Sequence, residues 1–116
     1  MARRAAKIDA NQVELVDLLR FAGASVKSLA AVGDGCPDLL IGFEGVTYLI
    51  EVKDGNKVPS KRRLTPDQEV FMALWKGANI YIAQDPESVL WPLMGGTKHR
   101  TQVIADWRKA RKTPTK

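Results

Sequence analysis

The chain has 116 residues, 45% of them hydrophobic and 27% charged, with a formal net charge of +5. That length suits one domain, residues 1–116. The lone Cys36 excludes an internal disulfide, no apolar run approaches the roughly 20 residues of a membrane helix, and "MARRAAKIDANQ" lacks the apolar stretch of a secretory signal, so a cytoplasmic protein is expected.

In chain order, "NQVELVDLLRFA" (11–22) sets Leu15, Val16, Leu18, Leu19 and Ala22 at helical spacing, and Gly23 stops the pattern. "SVKSLAAV" (25–32) predicts a short strand, and "GDGCP" (33–37) a glycine-rich turn in which Asp34 serves the turn. An apolar hairpin, "PDLLIGFEGVTYLIEVK" (37–53), comes next, then a basic loop over 54–63. Thr65-Pro66-Asp67-Gln68 opens a second helix to about Lys76, with Thr65 at the N-cap, Pro66 at the first helical position and Gln68 three after the cap. Gly77 ends it, "NIYIA" (79–83) reads as a buried strand, "WPLMGGT" breaks the chain, and Thr101 to Lys112 reads as a basic, partly amphipathic helix. The order α-β-β-β-α-β, with a terminal helix, predicts an α/β fold of the mixed α+β kind: a small sheet covered by helices.

Charge is spread unevenly along this order. Residues 1–7 hold three cations, and residues 98–116 hold seven against Asp106 alone, which leaves the rest of the chain at −4. Basic ends on a mildly acidic body suit a polyanion held over an acidic pocket, and solubilising tails are the plainer alternative.

The hairpin carries the chemistry. A two-residue Glu44-Gly45 turn sets Phe43 against Val46, Leu40 against Leu49 and Asp38 against Glu51. One face is then Leu39, Ile41, Phe43, Val46, Tyr48, Ile50 and Val52, almost wholly apolar and so expected on the core. The other ends in Asp38, Glu51 and Lys53. Opposed Cβ atoms lie about 4.5–5.5 Å apart, so two carboxylates confront each other and destabilise the sheet unless something compensates. A Mg²⁺ ion that keeps several waters would do so, with Lys53 placed to touch a phosphate or a metal-bound water. Otherwise Asp38 is a turn acid after Pro37, and Glu51 and Lys53 form a solvated rim.

Pro37-Asp38 followed by Glu51-Val52-Lys53 resembles the PD-(D/E)XK nuclease signature. With "GDGCPDLLIG", "YLIEVK", "LTPDQ" and "ANIYIA" around it, the stretch of about residues 10–84 is similar to the VRR-NUC branch, the virus-type replication-repair nucleases. The resemblance implies a restriction-endonuclease-like core and a Mg²⁺- or Mn²⁺-dependent DNA endonuclease leaving 5′-phosphate and 3′-hydroxyl ends. In that reading Asp38, Glu51 and the Val52 backbone carbonyl bind metal, and Lys53 assists the attacking water. Glu14 completes the metal site directly or through water, and Gln68 touches metal-bound water or the scissile phosphate. The implied substrates are branched DNA, Holliday junctions or flaps, cut by a homodimer in a bacterial or phage-infected cell.

Plainer readings stand beside these. Glu14 also fits an exposed helix acid, and Gln68 a capping box with Thr65. Lys57, Lys61, Arg62 and Arg63 suit backbone phosphates or simply a solvated loop. Trp107 with Arg108, Lys109, Arg111 and Lys112 reads as a second DNA contact, or as packing through Val103, Ile104 and Trp107. A DNA-binding module without catalysis, a sequence-specific restriction-type nuclease and an RNA-binding accessory protein are the rival functions.

Overall fold

The computed structural model of the protein describes residues 9–112. Its elements are α1 (Ala10–Phe21), β1 (Ser25–Ser28), β2 (Leu39–Phe43), β3 (Val46–Val52), α2 (Pro59–Arg62), α3 (Pro66–Leu74), β4 (Ile80–Ala83), α4 (Pro86–Met94) and α5 (Thr97–Lys112). The four strands form one mixed sheet in the order β1-β2-β3-β4, antiparallel except for the parallel β3–β4 pair. A mixed αβ fold is what the element order predicted.

Local chemistry explains most boundaries. α1 ends in a Schellman motif, with the Gly23 N–H on the Arg20 carbonyl, the Ala24 N–H on the Leu19 carbonyl, and Gly23 at φ 102°. Glu44 and Gly45 turn at φ 49° and 82°, the paired positive angles of a type I′ hairpin. That turn fixes the β2–β3 register, and Phe43 pairs with Val46, Leu40 with Leu49, and Leu39 with Ile50. α3 starts with a capping box between Thr65 and Gln68, and Pro66 opens it.

Several expectations need correction: the last helix begins at Thr97 rather than Thr101, and β4 is only partly buried, with Ile82 43% exposed. "WPLMGGT" does not break the chain at Trp91: α4 runs through Trp91 and Pro92 and stops at Gly95. Pro92 sits in the last turn, where its missing N–H removes one bond from a helix about to end. α4 also begins as α3 does, with an Asp85/Ser88 capping box and Pro86 at its start, a signal that was readable in "DPES". The predicted strand over 25–32 pairs only through Ser28, and the basic loop holds the short helix α2.

The apolar core lies on one face of the sheet. Leu39, Ile41, Ile50 and Val52 meet Leu15, Leu18 and Leu19 of α1, Val89 and Leu90 of α4, and Ile104 and Trp107 of α5. The core therefore extends beyond residues 10–84, and α5 packs on the body through Ile104 and Trp107. Val46, assigned to the core face, is 39% exposed beside the turn. Arg100 locks α5 onto α4: it pairs with Glu87 at 2.6 Å, donates to the Gly95 carbonyl, and lies 4.8 Å over the Trp91 ring. Among the described residues no helix is long and apolar enough to cross a membrane.

Candidate active site

The hairpin register extends to the acids. Leu39 pairs with Ile50, so Asp38 comes next to Glu51 at the open end of the two strands. Asp38 is fixed twice: its carbonyl accepts from the Leu29 N–H at 2.7 Å, and its Oδ2 accepts from the Val52 N–H at 2.8 Å. In extended backbone the carbonyl of a residue leaves the strand on the same side as its N–H. The Val52 carbonyl thus shares the Asp38 side of β3.

Glu51 projects from the sheet face opposite the core, yet it is only 3% exposed. α3 covers it. Gln68 Nε2 donates to Glu51 Oε2 at 2.9 Å, and Gln68 Oε1 accepts from Lys53 Nζ at 2.9 Å. Lys53 Nζ also lies 3.5 Å from Glu51 Oε2. The same Gln68 Oε1 accepts from the Thr65 N–H at 2.9 Å, so the cap of α3 and the site share one amide. Capping and a site position are not alternatives here; Gln68 holds both.

What seats α3 is a backbone contact that requires glycine. Gly35 sits at φ +76°, and a Cβ there would come within 2.2 Å of the Asp67 carbonyl oxygen. The "GDG" turn, with Asp34 itself at φ 57°, therefore presses against the start of α3 and sets the reach of Gln68.

Burial first, and then the charge of Asp38, push the Glu51 carboxyl up to about 7, against the opposing pull of Lys53. Burial chiefly, with help from Glu51 and Asp38, also raises the thiol of nearby Cys36. Near neutral pH a proton on Glu51 relieves the repulsion between the two carboxyl groups. Ionised, Glu51 has a buried Oε1 with no donor to bond, which a carboxylate oxygen seldom tolerates; a proton shared with Asp38 relieves it. A divalent cation would satisfy that oxygen: Asp38, Glu51 Oε1 and the Val52 carbonyl are hard oxygen donors, and Mg²⁺ completes its shell with water. Among the described residues no three His, Cys, Asp or Glu side chains gather as a metal-binding group, so water would supply much of the coordination.

The cleft over these groups has a volume of about 210 Å³ and is also lined by Asp9, Gln12, Asp54, Lys57 and Lys61. Glu14 is not in it. It is exposed on the next turn of α1 and faces Arg111 Nη2 at 3.4 Å. The α1 side chain that reaches the cleft is Gln12, 6% exposed. Its position three before Leu15 put it on the apolar stripe, and a polar residue there was a readable signal. The basic loop divides: Lys57 and Lys61 line this cleft, Arg62 lines a neighbouring one, and Arg63 is exposed at the end of α2. No protein-family model, curated protein or solved structure matches the chain.

Proposed function

We propose that the protein is a metal-dependent phosphodiesterase acting on DNA. The observation that carries this reading is the pairing of a half-buried Asp38 with a buried Glu51 whose Oε1 is orphaned, bordered by an ammonium held in place by Gln68. A structural acid pair at a sheet end gains nothing from such an arrangement, since opposed carboxylates cost stability.

Asp38, Glu51 and the Val52 carbonyl would hold Mg²⁺ or Mn²⁺, which supplies charge neutralisation at the phosphate and acidifies water. Asp38 keeps its place because Val52 occupies Oδ2. Gln68 bonds both Glu51 and Lys53 and fixes their positions, so Lys53 Nζ can donate to a phosphate oxygen as charge builds on it, or orient the water that attacks phosphorus. The water oxygen would bond to phosphorus and give up a proton to solvent, the bond to the leaving 3′ oxygen would break, and that oxygen would take up a proton from solvent, giving 5′-phosphate and 3′-hydroxyl ends. Lys57 and Lys61 on the cleft wall attract the strand electrostatically and read no sequence. Branched DNA and a homodimer belong to the same proposal, resting on the sequence resemblance.

The test is cleavage of a four-way junction, a flap, duplex and single strand with Mg²⁺ or Mn²⁺. Glu51→Gln and Lys53→Ala are expected to lose about 10²–10³-fold in rate. Equal cutting by these variants and the parent sinks the reading. The small number of acid ligands favours one rival, a DNA-binding module without catalysis. That rival predicts gel shifts with no cleavage and no heat of Mn²⁺ binding.

A further inference from the structure

A second cleft, about 410 Å³ in volume, opens behind the wall of the first. The two share that wall residue by residue. Gln12, Asp54 and Lys61 line the acidic cleft, while their chain neighbours Asn11, Gly55 and Arg62 line the second. The Asn11 amide ties the wall together, donating to the Lys53 carbonyl at 3.1 Å and the Gln84 carbonyl at 3.3 Å.

Three guanidinium groups meet in the second cleft: Arg62 from the basic loop, and Arg108 and Arg111 from α5. Arg62 Nε is buried and has no hydrogen-bond partner, and its Nη1 has only a long contact, 3.4 Å, to Gln84 Oε1. A buried cationic N–H without an acceptor is costly, and an anionic oxygen is its natural complement. The Arg111 guanidinium carbon lies 4.5 Å from the centre of the Trp107 ring, and Trp107 is itself anchored by donating to Asp17 at 2.9 Å. Two acids also line the cleft. Glu14 faces Arg111, and Asp85 spends its Oδ1 on the Ser88 N–H. The cations thus outnumber the acids, and one of them has an unmet donor.

We infer that this cleft is a phosphate subsite that grips the DNA backbone beside the nucleotide being cut. The inference rests on the DNA reading above and extends it: Arg62, Arg108 and Arg111 hold phosphates of the strand whose neighbouring phosphate enters the acidic cleft. An α5 packed on the body through Ile104 and Trp107 thereby also turns a basic edge toward the substrate.

The test is fluorescence anisotropy of a labelled duplex oligonucleotide over a range of KCl, with Ca²⁺ in place of Mg²⁺. Arg108→Ala combined with Arg111→Gln is expected to weaken binding at least about tenfold. The same variant should flatten the log–log salt dependence by about 0.9 for each phosphate that is no longer neutralised. Arg62→Gln should weaken binding in the same direction. Arg108→Ala alone, at an exposed position, reports even if the Arg111 change disturbs α5. The comparison protein is Lys76→Ala combined with Lys98→Ala, two exposed lysines outside both clefts. If the arginine variants match that protein in affinity and slope, the subsite is rejected; should the parent still cut DNA, the nuclease reading survives. A flattened slope in a protein that never cuts keeps the subsite and rejects the nuclease. A parent that does not bind DNA rejects both.

Discussion

The two faces of the sheet are built on different principles. On one, Leu39, Ile41 and Ile50 are 0% exposed beneath α1, α4 and α5. On the other, Leu40 is 37% and Ile82 43% exposed, and the covering helix α3 buries none of its own residues. Yet this sparsely packed face holds Glu51 almost wholly out of water. The first face is closed by apolar area, which stabilises without direction. The second is closed at one spot by a directed amide, which fixes atoms in place while adding little stability. Stability and chemistry are thus assigned to opposite sides of one four-stranded sheet.

The sharpest way to break that division is to truncate the packed face. Leu18→Ala is expected to cost about 2–5 kcal/mol in urea unfolding, with the rate per folded molecule unchanged. Leu74→Ala, at the 71%-exposed end of α3, is the matching change on the other side and should cost under about 0.5 kcal/mol. If the two costs come out alike, the contrast between the faces is false.

Gly35→Ala probes the seating of α3. Its methyl group would strike the Asp67 carbonyl in a conformation that disfavours any side chain, so stability should fall by about 1–2 kcal/mol. Because Gln68 moves with the helix, cleavage should fall about 10–100-fold, more than the stability loss explains. Undiminished activity would show that Gln68 does not position Lys53.

The pH dependence tests the acid pair itself. Because the Glu51 pKa is raised in the folded protein, its stabilising contribution is complete below about 4.5 and is lost as pH rises through about 7. A cation that takes the place of the proton must displace it below that value. Calorimetry should therefore show Mn²⁺ affinity falling about tenfold per pH unit below 7 and levelling off above it. The Mn²⁺-induced rise in melting temperature should be larger at pH 8 than at pH 6. A flat profile would mean that Glu51 is not a ligand.

How far the sequence disclosed all this depended on whether a feature was local. The Glu44-Gly45 turn fixes the hairpin register within two residues, so the Asp38–Glu51 pairing could be counted off. The Thr65–Gln68 cap was equally readable. Glu14 was named and Gln12 passed over, although Gln12 lies on the apolar stripe of α1 and Glu14 off it. α4 was missed because Pro92 and two glycines outweighed the Asp85-Pro86 start, and Pro92 falls where a helix can spare the bond. The second cleft joins residues from 11 to 111, and no local pattern announces such a meeting.

The anchoring of α3 leaves its outward side chains with little structural duty. The helix is positioned through the Gly35 contact, its cap and one inward amide, so Val70 and Leu74 face solvent with few constraints on their identity, whereas Trp75 just beyond it is stacked on Phe71. Those positions can accumulate substitutions while the acid pair stays in register, so the outer skin of this helix is where related sequences can diverge without disturbing the site beneath.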